Sequence, residues 1–324
     1  MTTFAIISRP AQFYTVLNVV SIDVAETIFI VVDNSNCTDE LVQLVSLSEQ
    51  RCKDVHVVSS IYTALKFIIK YNSNKSYVLT YTDRGLRINY YFFLLRKSII
   101  DLYEDGAAPY FRQDKFSSFY KKIFYKMTVC KALFSDSYLG CSRFVEKIHI
   151  QYPDAHKRIF PNCRKEILPL GAPTLEYLKK SNHYEKVIAE SLIKNSFLNK
   201  NVILFLGGYT LNPDFQNQFH LYHDHVKVLK PHPGSEYPLC CLDDYDHIAP
   251  TCLLSEALIL YLLNLSKNLV IVHECSASLI PFVTVSYQFE QINIAPSADY
   301  AQEYSNVISE IIASKAKIST QFMT

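Results

Sequence analysis

Short apolar runs alternate with longer amphipathic runs along the first third of the chain. The short runs are rich in β-branched residues and predict strands at Phe4–Ile7, Thr27–Val32, His56–Val58, Tyr77–Thr80 and Ser98–Tyr103. The longer runs repeat apolar residues at helical spacing and predict helices at Gln12–Val20, Glu40–Leu47, Ile61–Tyr71 and Leu86–Leu95. This alternation predicts a parallel sheet with helices on both faces.

A second series of the same kind begins at Val202. It predicts strands at Val202–Leu206, Val226–Leu229, Leu269–Val272 and Phe282–Val285, and helices at Ser255–Leu265 and Tyr300–Ala316. Between the two series, Leu168–Pro173 is rich in Pro and Gly, which is typical of a linker. The sequence therefore predicts an α/β protein with two Rossmann-like domains, residues 1–172 and 173–324. Their parallel sheets would face a central cleft, which is the GT-B architecture.

Composition narrows the class of protein. Hydrophobic residues make up 49% of the 324 residues, which is enough for two sizeable cores, and the net charge of +1 gives no electrostatic case for a nucleic-acid partner. None of the nine Cys form a Cys-x-x-Cys pair, so a disulfide framework or a structural zinc site is not expected. A reducing compartment fits this cysteine usage better.

The N-terminus, Met1–Arg9, lacks the pattern of a signal peptide, and the longest apolar runs are too short to span a bilayer. We therefore expect a cytoplasmic protein, attached at most peripherally to the inner membrane. Lys115–Lys131 interleaves aromatic residues with lysines, a pattern that could lie on an anionic membrane surface, although ordinary amphipathic packing is the simpler interpretation.

Two adjacent acids follow the predicted strand Ser98–Tyr103. Glu104 and Asp105 stand directly before Gly106, so a carboxylate is expected at the carboxyl end of the strand, where open α/β sheets bind ligands. A carboxylate there can act as a general base on an attacking hydroxyl. The other interpretation is a simple turn, because Asp-Gly is common turn chemistry, and the local pattern alone favours the turn.

A proline-flanked histidine follows the predicted strand Val226–Leu229. In the run Lys230-Pro231-His232-Pro233, the two prolines restrict the backbone and hold the imidazole in few directions. Such a histidine can donate a proton or a hydrogen bond to the phosphate of a leaving group. A proline-rich surface loop with an incidental histidine explains the pattern equally well.

The remaining candidates also lie at strand ends or helix starts. Ser276 and Ser278 follow the predicted strand Leu269–Val272, where their hydroxyls could hold a phosphate or simply cap a helix. Glu256 lies in the first turn of a predicted helix, where it could bind a ribose or complement the helix dipole. Gly207 is explained by a tight turn after its strand. The His, Cys, Asp and Glu residues show no convincing metal-ligand spacing, so no metal site is expected.

In their order along the chain, these motifs resemble those of the bacterial lipooligosaccharide sialyltransferases, with the capsular polysialyltransferases and Kdo transferases as relatives. The resemblance rests on Pro-x-Gln within Ser8–Gln12, on the acidic run Glu104–Tyr110, on the His-Pro pair and on the two serines. It covers most of the chain as a pattern, with specific residues only at these points. In one departure, Ala277 separates the serines where the family often has two adjacent hydroxyl residues, so the serine that contacts the phosphate stays open.

The resemblance implies a metal-independent, inverting glycosyltransferase that transfers sialic acid from CMP-sialic acid to a hydroxyl of a lipooligosaccharide, O-antigen or capsule. It implies Asp105 as the general base, with Glu104 as the substitute, and His232 as the acid or hydrogen-bond donor to the departing phosphate. The serines would hold this phosphate and Glu256 the ribose. The donor-binding set implied is Lys230, Pro233, Glu256, Ser276, Ser278 and Gly207. No cofactor is implied beyond the donor, and the acceptor would be an oligosaccharide or glycolipid.

Three alternatives stay open at this point. The donor could be CMP-Kdo or another CMP-nonulosonate, because all these donors share the CMP end. It could instead be a UDP- or GDP-sugar on the same GT-B scaffold, although no extra Arg or Gly-rich loop accompanies the serines. A non-catalytic binding protein with a periplasmic-binding-type fold would normally carry an export signal, which the sequence does not show.

Overall fold

The fold was analysed in a computed structural model of the chain. The structure describes residues 1–19, 22–33, 37–46, 52–71, 75–106, 109–111, 139–171, 174–180, 197–208, 210, 212–235, 237, 242–282, 287–294 and 298–321. The chain divides into two compact units. The first comprises Met1–Asn34, Thr38–Ala172 and Ser309–Thr324, and the second comprises Ser35–Cys37 and Pro173–Ile308.

Within the described residues, the first unit is built on a seven-stranded sheet in the order β3-β2-β1-β4-β5-β6-β7. Its strands are β1 Thr2–Ile7, β2 Thr27–Val32, β3 Asp54–Val58, β4 Ser76–Thr80, β5 Ile99–Tyr103, β6 Lys147–Ile150 and β7 Glu166–Pro169. Neighbouring strands all pair in parallel. All six residues of β2 are buried, as expected for a central strand covered on both faces.

The helices of the first unit connect successive strands, and each buries some of its residues. They are α1 Pro10–Leu17, α2 Thr38–Ser46, α3 Ile61–Tyr71, α4 Leu86–Leu94 and α5 Pro153–Ile159. In α3, Ala64, Leu65 and Ile68 are buried at helical spacing. Asp101 is one of several buried polar residues in the sheet. Its carboxylate accepts hydrogen bonds from the Tyr77 hydroxyl (2.8 Å) and the Lys147 N–H (3.1 Å), which ties β5 to both neighbours.

The second unit contains a five-stranded parallel sheet, as far as its residues are described, in the order β10-β9-β8-β11-β12. The strands are β8 Asn201–Leu206, β9 Val226–Lys230, β10 His247–Ile248, β11 Asn268–His273 and β12 Glu290–Asn293. The helices are α6 Thr174–Lys180, α7 Asp214–Leu221, α8 Ser255–Leu265 and α9 Ala298–Gln321. Aromatic side chains fill part of this core, where the rings of Phe205 and Phe215 lie 5.3 Å apart.

The structure changes two expectations from the sequence. Phe282 ends a 3₁₀ helix, Ala277–Phe282, instead of beginning a strand, because Leu279, Ile280 and Phe282 all turn into the core; residues 283–285 lie outside the described part. The end of α9 belongs to the first unit, whereas the sequence assigned it to the second domain. The physical reason is that Ile311 is fully buried and Glu310 pairs with Arg158 (3.5 Å).

Neither the last two residues of the predicted linker, 172–173, nor the basic aromatic segment Lys115–Lys131 falls within the described residues. In the part of the chain that is described, no helix combines the length and the apolar character needed to cross a membrane.

Candidate active site

In the first unit, polar side chains gather where β1, β4 and β5 end. These three strands are adjacent and parallel, so the residues that follow them meet at one edge of the sheet. The Tyr103 hydroxyl, at the end of β5, donates to the carbonyl oxygen of Ile6 in β1 (2.7 Å). The Tyr81 ring, just after β4, lies 6.4 Å from the Tyr103 ring. Tyr81 is a site residue that the sequence analysis missed.

The Glu104 carboxylate forms hydrogen bonds that hold its own loop in place. One of its carboxylate oxygens accepts hydrogen bonds from the Tyr110 hydroxyl (3.0 Å) and from the backbone N–H of Gln151. The Tyr110 hydroxyl in turn accepts from the Tyr152 N–H (3.0 Å), and Tyr110 is fully buried. This carboxylate therefore ties the loops after β5 and β6 together, which is a structural task.

Asp105 is placed differently. It is partly exposed, and no hydrogen bond or ion pair engages its carboxylate in the described part of the chain. Burial raises the pKa of the Tyr81 phenol, and the negative charge of Asp105 raises it further, whereas a hydrogen bond from Ser8 and the charge of Arg9 lower it. Gly106 has φ +58°, so the Asp-Gly turn is present and presents Asp105 at the sheet edge. Its role as a base stays a prediction.

Asp83 and Arg84, adjacent in the loop after β4, have different surroundings in the structure. Asp83 is fully buried, and its two carboxylate oxygens accept from the N–H groups of Gly140 (3.1 Å) and Ser142 (2.9 Å). It therefore fixes a loop. Arg84 is exposed and lies close enough to Asp105 to interact with its charge.

Two buried polar atoms near this edge have no hydrogen-bond partner among the described residues. They are Nε2 of Gln12 and Oγ1 of Thr80. The other amide atom of Gln12, Oε1, accepts from both the N–H (2.6 Å) and the hydroxyl (3.1 Å) of Ser8. Through Gln12, the Pro-x-Gln motif therefore fixes the loop that directly follows β1.

In the second unit, the other predicted motifs follow β8, β9 and β11, which are adjacent and parallel. His232 lies in the loop after β9. Its Nδ1 accepts a hydrogen bond from the Gly234 N–H (3.1 Å), so the neutral imidazole carries its proton on Nε2. Its carbonyl accepts from the Ser235 hydroxyl (2.7 Å), and its neighbour Pro233 is partly exposed. The loop therefore fixes His232 as an Nε2–H donor.

Tyr237 links this loop to the glycines after β8. Its hydroxyl donates to the Gly208 carbonyl (2.5 Å), and a Cβ on Gly207 would collide with that same hydroxyl. A Cβ on Gly208 would lie 2.5 Å from a carboxylate oxygen of Glu274. Each glycine therefore leaves room for the end of a neighbouring side chain. Tyr237 and Glu274 carried no sequence signal that separated them from the other tyrosines and acids.

Lys230 is only 2% exposed and points inward. Its ammonium donates to the carbonyls of Pro231 (2.6 Å) and Thr251 (3.1 Å), and burial lowers its pKa to about 8. This lysine braces the loop that carries His232. Direct contact with a donor, which the sequence predicted, would need its amine to leave these two carbonyls.

Glu256, Ser276 and Ser278 lie together. Burial raises the pKa of the Glu256 carboxyl, while hydrogen bonds from its own backbone N–H and the Ser278 hydroxyl, and the charge of Lys230, lower it. The Ser276 hydroxyl oxygen accepts from the Ser278 N–H (3.3 Å) and so caps the 3₁₀ helix. Capping and phosphate binding are compatible, and which of the two serines would contact a phosphate stays a prediction.

The turn between β11 and this 3₁₀ helix has an unusual backbone. Cys275 has φ +53°, a conformation that side chains rarely adopt, and its N–H donates to Oδ1 of Asn293 (3.0 Å) in β12. His273 is buried, its Nδ1 accepts from the Ser276 N–H (3.2 Å), and burial lowers its pKa to about 4. The two groups that hold the turn, the Asn293 amide and the neutral His273 imidazole, are therefore both uncharged. Among described residues, no cluster of His, Cys, Asp and Glu could hold a metal ion.

Comparison with known proteins identifies the architecture. No protein-family profile and no curated protein sequence matches the chain. The α/β-galactoside α-2,3-sialyltransferase of the luminous marine bacterium Photobacterium phosphoreum is structurally similar, with a TM-score of 0.56 and 13% identity over 95% of this chain and 94% of that one. Wall teichoic acid polymerase TagF, in a structure soaked with CDPG, gives a TM-score of 0.51 and 12% identity over 97% of this chain and 82% of that one.

The fold is the GT-B fold. This confirms the α/β class and the two parallel-sheet units predicted from the sequence. At this level of identity the GT-B likeness extends to the fold, and the roles of individual residues are argued from the geometry of each unit.

Proposed function

We propose that the protein is a glycosyltransferase that moves a sialic-acid-like sugar from a CMP donor to a hydroxyl of a glycan. The observation that carries the proposal is the GT-B likeness to a bacterial sialyltransferase across nearly the whole of both chains. The sequence motifs at the carboxyl ends of the strands, in each unit, support it.

On the acceptor side, Asp105 is the proposed general base. Both acids are partly exposed, but Glu104 already accepts two hydrogen bonds from its loop, whereas no described residue bonds the Asp105 carboxylate. A base must reach the hydroxyl proton that it abstracts, and an uncommitted carboxylate beside Tyr81 meets that requirement better than an anchored one. Tyr81 and Arg84 are the proposed acceptor contacts around it.

On the donor side, His232 is the proposed acid or hydrogen-bond donor to the departing phosphate. Its Nε2 carries the proton in the neutral form, because Nδ1 accepts from Gly234. Ser276 and Ser278 would hold the phosphate at the capped turn, and Glu256 would bind the ribose. Gly207 and Pro233 would shape the pocket, while Lys230 braces the loop from inside.

We propose that the transfer is inverting and needs no metal. CMP leaves with one phosphate, and a histidine, two hydroxyls and backbone N–H groups can stabilise that charge. An inverting displacement needs a base on the acceptor side and a donor on the phosphate side. Asp105 and His232 supply these two functions.

The comparison with TagF favours a second candidate, a transferase with a CDP-activated donor. Both candidates share a cytidine nucleotide, so Glu256 and the serines would serve either. CMP-Kdo and other CMP-nonulosonates belong with the first candidate, because they share the CMP end and a carboxylate.

A nucleotide panel separates these donors. The thermal unfolding temperature is measured with CMP, CDP, UDP and GDP, each with and without a chelator. CMP should give the largest rise and the chelator should leave it unchanged; a ligand at a hundred times its Kd stabilises by about 2.7 kcal/mol. Glu256→Gln should reduce the CMP effect, whereas Glu176→Gln, at an exposed position of the second unit, should not. A larger rise with UDP or GDP would overturn the cytidine assignment, and a larger rise with CDP would favour the second candidate.

A further inference from the structure

One helix of the first unit carries an exposed apolar face. In α4, Leu86, Tyr90, Phe93 and Leu94 are 42%, 51%, 38% and 42% exposed. They are spaced i, i+4, i+7 and i+8, so they lie on one side of the helix, and we call this set the α4 face. The opposite side, with Ile88 and Phe92, is buried against the protein.

Exposed apolar side chains are more concentrated on α4 than on the rest of the described surface. Four of the eleven exposed large hydrophobic side chains in the described residues belong to this one helix of nine residues. Single exposed apolar residues are normal on a soluble protein, whereas contiguous apolar patches mark an interaction site.

Basic residues lie at both ends of the α4 face. From Arg84 to Lys97 the chain contains four basic residues and no Asp or Glu. Arg96 lies over the Phe93 ring (5.0 Å), and Arg143 lies over Phe144, whose ring packs against Phe93 at 6.3 Å. Arg96, Lys97 and Arg143 are all exposed.

The charges beside the α4 face indicate what kind of partner it binds. An apolar stripe with Tyr and Phe, bordered only by cations along its own helix, matches the interface of an anionic bilayer, where rings insert and cations meet headgroups. We propose that the α4 face binds the surface of a membrane that contains anionic lipids. The inference does not rest on the proposed transfer reaction, although α4 begins two residues after Arg84, beside the predicted acceptor site.

The test is sedimentation of the full chain with lipid vesicles, made either of phosphatidylcholine alone or with one quarter phosphatidylglycerol. Binding should require the anionic lipid and weaken at high salt. Leu86→Gln/Tyr90→Gln/Leu94→Gln, which keeps the contact between Phe93 and Phe144, should weaken binding about tenfold or more. Arg96→Gln/Lys97→Gln should weaken it about fivefold for each cation removed.

The matched control is Leu221→Gln, which removes a side chain that is 70% exposed in the second unit and should bind like the wild type. Circular dichroism verifies that each variant is folded. Equal binding to both kinds of vesicle, or undiminished binding by the folded α4 variants, would overturn the proposal. So would loss of self-association in the α4 variants without any vesicle binding by the wild type, because the face would then be a protein interface.

Discussion

Glu104 and Asp105 are adjacent in the chain, yet their carboxylates have different surroundings. Glu104 accepts from a buried tyrosine and from a backbone N–H, whereas no described residue bonds the Asp105 side chain. Sequence alone could not separate the two acids, because both occupy the same strand end and the difference arises from Tyr110 and Gln151. The structure therefore gives one residue a stability role and leaves the other available for chemistry.

Glu104→Ala should lower the free energy of unfolding by about 1–3 kcal/mol, since it leaves the Tyr110 hydroxyl and the Gln151 N–H without their acceptor. The matched variant Asp105→Ala should change it by less than about 0.5 kcal/mol. Urea denaturation measures both. Equal losses in the two variants would contradict the division of roles.

Among the elements of the predicted donor site, the loop after β9 is held by several hydrogen bonds. Lys230 supports it from inside through two carbonyls, and Gly234 and Ser235 bond to His232 from within the loop. Burial lowers the pKa of Lys230 to about 8, while a lysine in an unfolded chain titrates at about 10.4. Between these pH values the unfolded chain holds a proton that the folded protein has released.

Release of this proton should therefore make the free energy of unfolding rise as the pH increases from about 8 to about 10.4. The contribution of Lys230 has a slope of up to about 1.4 kcal/mol per pH unit. Lys230→Met should remove this contribution, and Lys267→Met, at an exposed position, should retain it. Denaturation curves of the three proteins across this window give the difference. A wild type and a Lys230→Met variant with parallel pH profiles would disprove the buried-amine assignment.

Sequence pattern predicted the central strands well because they are almost wholly apolar. It missed β6, β7 and β12, which are four residues long and begin with Lys147, Glu166 and Glu290, and β10, which has two residues. The motifs at strand ends were visible, but strand order is set by tertiary packing, so the pattern could not show that β1, β4 and β5 meet. Tyr81 and Tyr237 were hidden among 23 tyrosines.

Across the whole molecule, the chain returns to its first unit at the end. Ile311 of α9 is completely buried there, while its neighbour Ile312 is 49% exposed. Helical periodicity predicted the helix, but not which unit its apolar residue would enter, since that depends on the three-dimensional path of the chain.

Ile311→Ala should cost about 2–5 kcal/mol of unfolding free energy, because it removes a buried side chain and leaves a cavity. Ile312→Ala should cost less than about 0.5 kcal/mol. Thermal and urea unfolding test the pair, and similar costs for both would show that the end of α9 does not anchor the first unit.

The central claim is that Asp105 deprotonates the acceptor in a CMP-dependent transfer. It is tested most directly by CMP release from CMP-sialic acid, with a panel of galactosides and sialosides as acceptors. Wild type should release CMP in the presence of an acceptor, and Asp105→Asn should do so about 10²–10⁴-fold more slowly while its thermal stabilisation by CMP is unchanged. Wild-type turnover by Asp105→Asn would contradict the account.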